Sequence, residues 1–291
     1  MNALKGVGVA LVTPFQQNGK VDYTGLEKLV NHVSKGVHFL VVMGTTGEAV
    51  TLKEDEQLAI LDYIIEVNAG KLPIVFGMGG SDTASLAKRM ESFDRKGVAA
   101  FLTASPAYNK PTQEGIFHHY VSIAERSALP ILLYNVPGRT ASNVKPETVL
   151  RIAEHTEKVI GIKEAAGSIE QVMTLSSLMP ELFLILSGDD PLLVPHMACG
   201  GHGIISVVAN AYPEEFRKVY ENCLNGEYRQ AREVHYRLRP LIDALFAEGN
   251  PGGVKEVLQY LGICQNHMRL PLFPVSKDHS QSLYRLIAEM S

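Results

Sequence analysis

Val159-Ile160-Gly161-Ile162-Lys163 is a short apolar run that ends on a cation. Its β-branched residues and its length mark it as a buried strand. Seven more short apolar runs lie at residues 7–12, 39–43, 74–76, 99–102, 131–134, 183–186 and 203–208. Amphipathic helical patterns stand between them at 23–34, 54–68, 83–96, 113–126, 146–154 and 168–179. Asp22, Asp82, Thr112 and Ser168 occupy N-cap positions, and Gly36, Gly70 and Gly97 follow helices as C′ glycines do. Strands alternating with helices imply right-handed βαβ units and a parallel sheet. Eight such units, beginning at the N-terminus, favour an α/β fold of the closed (β/α)8 barrel type over an open sheet. Residues 1–225 hold the barrel with its last helix, and 226–291 form a C-terminal helical extension.

Composition agrees with a single large core. The 291 residues are 46% hydrophobic and 20% charged, which excludes a disordered chain. The formal net charge is -4 and no Lys/Arg cluster occurs, so neither nucleic acid nor a membrane surface is an expected partner. Cys199, Cys223 and Cys264 are odd in number and widely spaced, which fits reduced thiols in the cytoplasm. The N-terminal apolar run is brief and ends at Pro14, so it reads as a first strand rather than a signal peptide. No apolar run is long enough to span a bilayer.

In a barrel the chemistry sits at the C-terminal ends of the strands. Side chains alternate along a strand, so Ile160 and Ile162 share one face and Gly161 and Lys163 the other. The isoleucines suit the surrounding helices. Lys163 then faces the barrel axis, with Gly161 leaving room beside its stem. Desolvation there disfavours an ammonium, and a neutral amine attacks carbonyls, forming an imine with a small 2-keto acid. A structural lysine paired with Glu164 or an aspartate fits the strand equally well. Tyr134 ends strand five and can relay the protons that imine formation needs, or simply pack. Thr45 and Thr46 lie in Gly44-Thr45-Thr46-Gly47-Glu48, where hydroxyls and backbone N–H groups suit a carboxylate, or a plain tight turn. Arg139, in Pro137-Gly138-Arg139, can clamp a second carboxylate or remain a solvated loop arginine.

Four segments occur in order: Gly44-Thr45-Thr46-Gly47-Glu48, Tyr134-Asn135-Val136-Pro137-Gly138-Arg139-Thr140, Gly161-Ile162-Lys163-Glu164-Ala165 and Gly200-Gly201-His202-Gly203-Ile204-Ile205-Ser206-Val207. Their spacing over nearly the whole chain resembles the dihydrodipicolinate synthase family, class I pyruvate-dependent lyases of lysine biosynthesis. The resemblance implies a Schiff base between Lys163 and pyruvate. It implies a proton relay of Tyr134, Thr45 and Tyr108, with Tyr108 entering from a neighbouring subunit. Thr46 resembles the holder of the pyruvate carboxylate, and Arg139 the binder of the second substrate, aspartate 4-semialdehyde. The backbones of Gly188 and Ile205 line the site. The family needs no metal or other cofactor and is usually a homotetramer built from two tight dimers.

Other readings are weaker. His118 and His119 are adjacent on a helix and diverge, and no His-Glu-x-x-His occurs, so a metal-dependent aldolase is disfavoured. Asp189-Asp190 suits a helix N-terminus as well as a magnesium site. A sialate-type lyase usually has serine in the first motif and lacks the arginine. A catalytically silent barrel has no reason to keep Lys163, Tyr134, Thr45 and Tyr108 together. Asn250-Pro251-Gly252-Gly253-Val254-Lys255 departs from the family's usual Asn-Pro-x-Pro-Val-Lys, and Gly253 is expected to loosen the turn. Some members bind inhibitory lysine in a cleft between subunits, using polar and aromatic side chains. At the matching positions this chain has Ala49, Glu54, Gln57, Ser85 and Ala107. Initial rates across a millimolar lysine series are therefore expected to stay near the uninhibited value. Strong cooperative inhibition would contradict this.

Overall fold

A computed structural model describes residues 2–290. Eight parallel strands close in chain order: β1 (Gly6–Ala10), β2 (Phe39–Val42), β3 (Ile74–Gly77), β4 (Val98–Ala104), β5 (Ile131–Asn135), β6 (Val159–Glu164), β7 (Leu184–Ser187) and β8 (Gly203–Ser206). Strand β8 pairs with β1, so the sheet has no free edge. The intervening helices are α1 (Tyr23–Val33), α2 (Glu54–Asn68), α3 (Thr83–Glu91), α4 (Gln113–Arg126), α5 (Pro137–Thr140), α6 (Pro146–His155), α7 (Ile169–Leu178) and α8 (Leu193–Ala198). After β8 come α9 (Pro213–Leu224), α10 (Tyr228–Ala247), α11 (Gly252–Tyr260) and α12 (Lys277–Met290). The expected (β/α)8 barrel with C-terminal helices is the observed architecture. No helix among the described residues is long and apolar enough to cross a membrane.

Local chemistry explains the helix starts. The side chains of Asp22, Asp82, Thr112 and Ser168 accept from backbone N–H groups of the first turns of α1, α3, α4 and α7. Helix α2 ends at Asn68 with Gly70 left-handed after it, as expected, but the glycines at 97 and 36 do otherwise. Helix α3 stops at Glu91, because the chain then turns Phe93 inward onto Phe76 and Phe101, with ring centroids 5.7 and 5.0 Å apart. Gly97, at φ +93°, makes the turn into β4 and caps no helix. Gly36 is not left-handed. A Cβ there would lie 2.3 Å from the Pro213 carbonyl carbon, so it is glycine because α9 approaches closely.

Two apolar groups result from strand alternation. Ala10, Phe39, Val41, Leu102, Leu132, Leu184, Leu186 and Ile205 fill the barrel. Val9, Leu40, Phe76, Phe101, Leu133, Ile162 and Ile185 face the helices. Ile160 breaks the expected alternation. The β5–β6 register runs Ile131↔Val159 and then Leu132↔Gly161, which leaves Ile160 as an extra residue. It joins the interior group while Ile162 stays outside. Gly161 does face the interior, but Leu132 and Leu184 fill its space, so it makes no room for the lysine.

Helix α11 is buried between the barrel and α12. Lys255 donates to the Glu48 carboxylate and to the His267 carbonyl at 2.7 Å, and both side chains of the ion pair are fully buried. Burial pulls the Lys255 ammonium below its ordinary range, and the Glu48 charge opposes that. On the next residue, Glu256 accepts from Asn266, Ser280 and Tyr284, the last two on α12. Gly253 does not loosen this helix: a Cβ would meet the Leu245 carbonyl oxygen at 2.3 Å, so glycine lets α11 touch the end of α10. Arg269 completes the tie. It holds Glu56 through two hydrogen bonds of 2.8 and 2.6 Å and reaches the carbonyls of Gly19 and Thr51 at 2.9 and 3.1 Å.

The Arg269 guanidinium lowers the Glu56 carboxyl from 4.5 to about 2. This stabilisation is complete above about pH 4.5 and is lost as pH falls toward 2. Glu56→Gln is expected to cost about 1 kcal/mol near neutral pH. The gap between variant and wild type should close on acidification, as urea midpoints across an acid series would show. A gap independent of pH would mean that the ion pair is not its source.

Candidate active site

The C-terminal ends of the strands converge on one mouth. Tyr134 and Lys163 are direct partners in the β5–β6 register, and both point into the barrel. The Lys163 Nζ lies 4.3 Å from the centroid of the Tyr134 ring. Lys163 is 6% exposed and Tyr134 9%, so the amine is largely desolvated yet beside a phenol.

The alternative of a structural lysine pair is not what the chain builds. Among the described residues no carboxylate oxygen lies within 4.0 Å of the Lys163 amine. Glu164, the next residue along the strand, is instead held by the side-chain amides of Asn135 and Gln171 and by the Ala166 N–H. Burial raises its carboxyl above the usual range, against those hydrogen bonds. Asp189 and Asp190 feel the lysine charge from a distance, and burial raises both, Asp190 to about 6. Asp190 accepts from the Ser206 hydroxyl and from the Val207 and Val208 N–H groups at 3.0 and 3.4 Å. It therefore secures the end of β8 while standing, as the sequence suggested, at a helix start, the 3-10 turn Asp190–Leu192 that leads into α8.

The residue that makes room for the lysine stem is Gly188. A Cβ at Gly188 would lie 3.0 Å from Lys163 Cε and 2.5 Å from the Ala165 Cβ. The Gly188 N–H donates to the Glu164 carbonyl at 2.7 Å, which fixes its backbone beside the lysine. Ile205, fully buried, lies in β8 on the interior wall.

Beside this pair opens a cavity of about 620 Å³. Thr45, Tyr134 and Arg139 share its wall, so the structure brings a hydroxyl, a phenol and a guanidinium to one space. Thr45 and Thr46 form a 3-10 turn after β2, Thr45 exposed and Thr46 3% exposed. Thr46 lies off the cavity wall and accepts at 3.0 Å from the Asn250 amide. Tyr108 is not brought to Lys163. It stands 95% exposed on the loop after β4, in the left-handed conformation at φ 72°. Ala49, Gln57 and Ala107 line the same cavity. Gln57 already donates to the Ala49 and Leu52 carbonyls, and Glu54 is paired with Arg89 at 2.9 Å.

The sequence reading missed Asn250, the Glu48–Lys255 pair and Arg269. Asn250 and Lys255 stand in the Asn-Pro-Gly-Gly-Val-Lys segment, which shows no role in sequence because its partners lie about two hundred residues earlier, and Arg269 carries no local signal.

The chain is a lyase of the class I aldolase type on a (β/α)8 barrel, and an amine beside a phenol, next to a cavity with a cationic wall, suits imine chemistry. The chain belongs to the dihydrodipicolinate synthetase family, whose profile matches residues 3–290. A 4-hydroxy-tetrahydrodipicolinate synthase of Flavobacterium psychrophilum is 46% identical over 292 residues, covering 100% of both chains. The dihydrodipicolinate synthase structure from Thermotoga maritima superposes with a TM-score of 0.95 at 41% identity, covering 98% of each chain. A monomeric dihydrodipicolinate synthase variant superposes with a TM-score of 0.96 at 40% identity, covering 99% of this chain and 97% of that one.

Gly188→Ala tests the seating of the lysine. The added methyl is expected to cost about 1–3 kcal/mol of stability. It should also slow borohydride trapping of an imine with a small 2-keto acid by about tenfold or more. An unchanged trapping rate would show that Gly188 does not set the stem.

Proposed function

We propose that the chain condenses pyruvate with L-aspartate 4-semialdehyde, the step that forms 4-hydroxy-tetrahydrodipicolinate in diaminopimelate and lysine biosynthesis. The observation that carries the mechanism is the desolvated Lys163 amine beside the Tyr134 ring, away from any carboxylate partner. The amine attacks C2 of pyruvate. The carbinolamine loses water to give an imine on Nζ. That imine withdraws electrons from the pyruvate methyl group, which loses a proton to leave an enamine. The enamine carbon attacks the aldehyde of the semialdehyde, forming the new carbon–carbon bond. The amino group of the adduct then attacks the imine carbon, displaces Lys163 and closes the ring.

Protons move through Tyr134, Thr45 and Tyr108 in this reading, and Thr46 holds the pyruvate carboxylate. The exposed Arg139, on the cavity wall with Thr45 and Tyr134, receives the carboxylate of the semialdehyde. The Gly188 and Ile205 backbones complete the site. Tyr108 serves a neighbouring copy within a homotetramer of two tight dimers, which accounts for an exposed tyrosine on a left-handed loop. Residues 1–225 supply the catalytic barrel, and 226–291 are an extension that steadies it. Three free cysteines are in keeping with a cytoplasmic setting.

Borohydride added with pyruvate is expected to place a reduced pyruvyl group on the peptide containing Lys163, and Lys163→Ala should take none. Tyr134→Phe should lower kcat by about 10²–10⁴-fold. In coupled assays aspartate 4-semialdehyde should outcompete sugar aldehydes. A preference for a sugar aldehyde would overturn the choice of second substrate while leaving the imine intact.

A further inference from the structure

Thr46 is held from outside the barrel. Its Oγ1 accepts from Asn250 Nδ2 at 3.0 Å, across 204 positions of sequence. A hydroxyl has one hydrogen to donate and two lone pairs. The Asn250 bond uses a lone pair, and no acceptor for the Thr46 hydrogen exists among the described residues. That hydrogen is therefore free for a ligand. The opposite end of the same amide, Asn250 Oδ1, is buried and has no partner. Reversing the amide would give Oδ1 the Thr46 hydrogen and leave the threonine nothing to donate.

The distance between the two residues is also fixed. Asn250 lies just before α11, whose Lys255 is joined to Glu48, two residues beyond Thr46. Glu48 closes the Thr45–Gly47 turn in the left-handed conformation, φ 55°. The Thr13 hydroxyl donates to the Gly47 carbonyl at 2.6 Å and the Thr51 hydroxyl to the Glu48 carbonyl at 2.9 Å. The turn and the segment that caps it are thus one unit.

We propose that Asn250 is a positioning residue for pyruvate: its amide donates to Thr46 and thereby commits the Thr46 hydroxyl hydrogen to the substrate carboxylate. This rests on the reading of Thr46 as the carboxylate holder. Asn250 touches the substrate only through Thr46, and the C-terminal segment sets pyruvate affinity without entering the reaction.

The test compares Thr46→Val, Asn250→Ala, Asn250→Asp and the double variant Thr46→Val/Asn250→Ala in the full chain. Readouts are KM for each substrate, kcat and Tm. Asn250→Ala should raise the pyruvate KM by about tenfold, with the semialdehyde KM and Tm little changed. The double variant should be no worse than Thr46→Val alone. Asn250→Asp keeps the shape but accepts the threonine hydrogen and sets a negative charge near the carboxylate, so it should raise the pyruvate KM more than alanine does. The inference fails if Asn250→Asp matches wild type or if the double variant is additive. It also fails if Asn250→Ala raises both KM values equally while Tm drops. If Thr46→Val raises the pyruvate KM and Asn250→Ala does not, the inference falls alone. If Thr46→Val leaves that KM unchanged, the assignment of Thr46 falls and takes the inference with it.

Discussion

Closing eight parallel strands leaves no sheet edge and sends alternate side chains into one narrow interior. That space is filled with leucine, valine and phenylalanine along most of its length. Near the mouth the same geometry places Tyr134 and Lys163 on adjacent strands in direct register. A long cationic side chain is tolerated there because its stem lies against the glycine at position 188 and its head against an aromatic face. The side chain is largely buried, and among the described residues no acid pairs with its amine. The neighbouring carboxylates are spent elsewhere, Glu164 on amides and Asp190 on the end of β8.

The second constraint is the fully buried Glu48–Lys255 pair. Buried ion pairs add little net stability, since each charge gives up its hydration. What this one supplies is geometry. It fastens a turn with a left-handed non-glycine residue to a helix from the far end of the chain. The Phe15 ring lies 4.5 Å from Lys255 Nζ and 4.8 Å from the Arg269 guanidinium carbon, so the loop after β1 belongs to the same assembly. Turns at a barrel mouth are otherwise its most mobile parts. Here one of them is held at its backbone, its acid and its threonine hydroxyl.

Strands and helices were legible because each rests on local patterning. Apolar runs such as 131–134 could not be exposed, and Asp22, Asp82, Thr112 and Ser168 cap helices with atoms a few residues away. The errors arose where distant packing intervened. Phe93 ended α3 early because two phenylalanines from neighbouring strands receive it. Ile160 changed face because a bulge against β5 inserts one residue. Gly36 and Gly253 looked like loosening or capping glycines and are points where another backbone arrives.

The sequence by itself determined the barrel, the strand that bears Lys163, and the motifs that group Thr45, Tyr134 and Arg139 at its mouth. Period-two and helical patterns, with caps a few residues away, act over short range and read directly from the order of residues. Only the tertiary structure decided which glycine clears the lysine stem, which acids stay away from its amine, and that Asn250 and Lys255 hold the Thr45–Gly47 turn. Those outcomes depend on contacts across as many as 207 positions. No local pattern encodes such a contact, because it exists only once the barrel has closed and α11 has docked beside it.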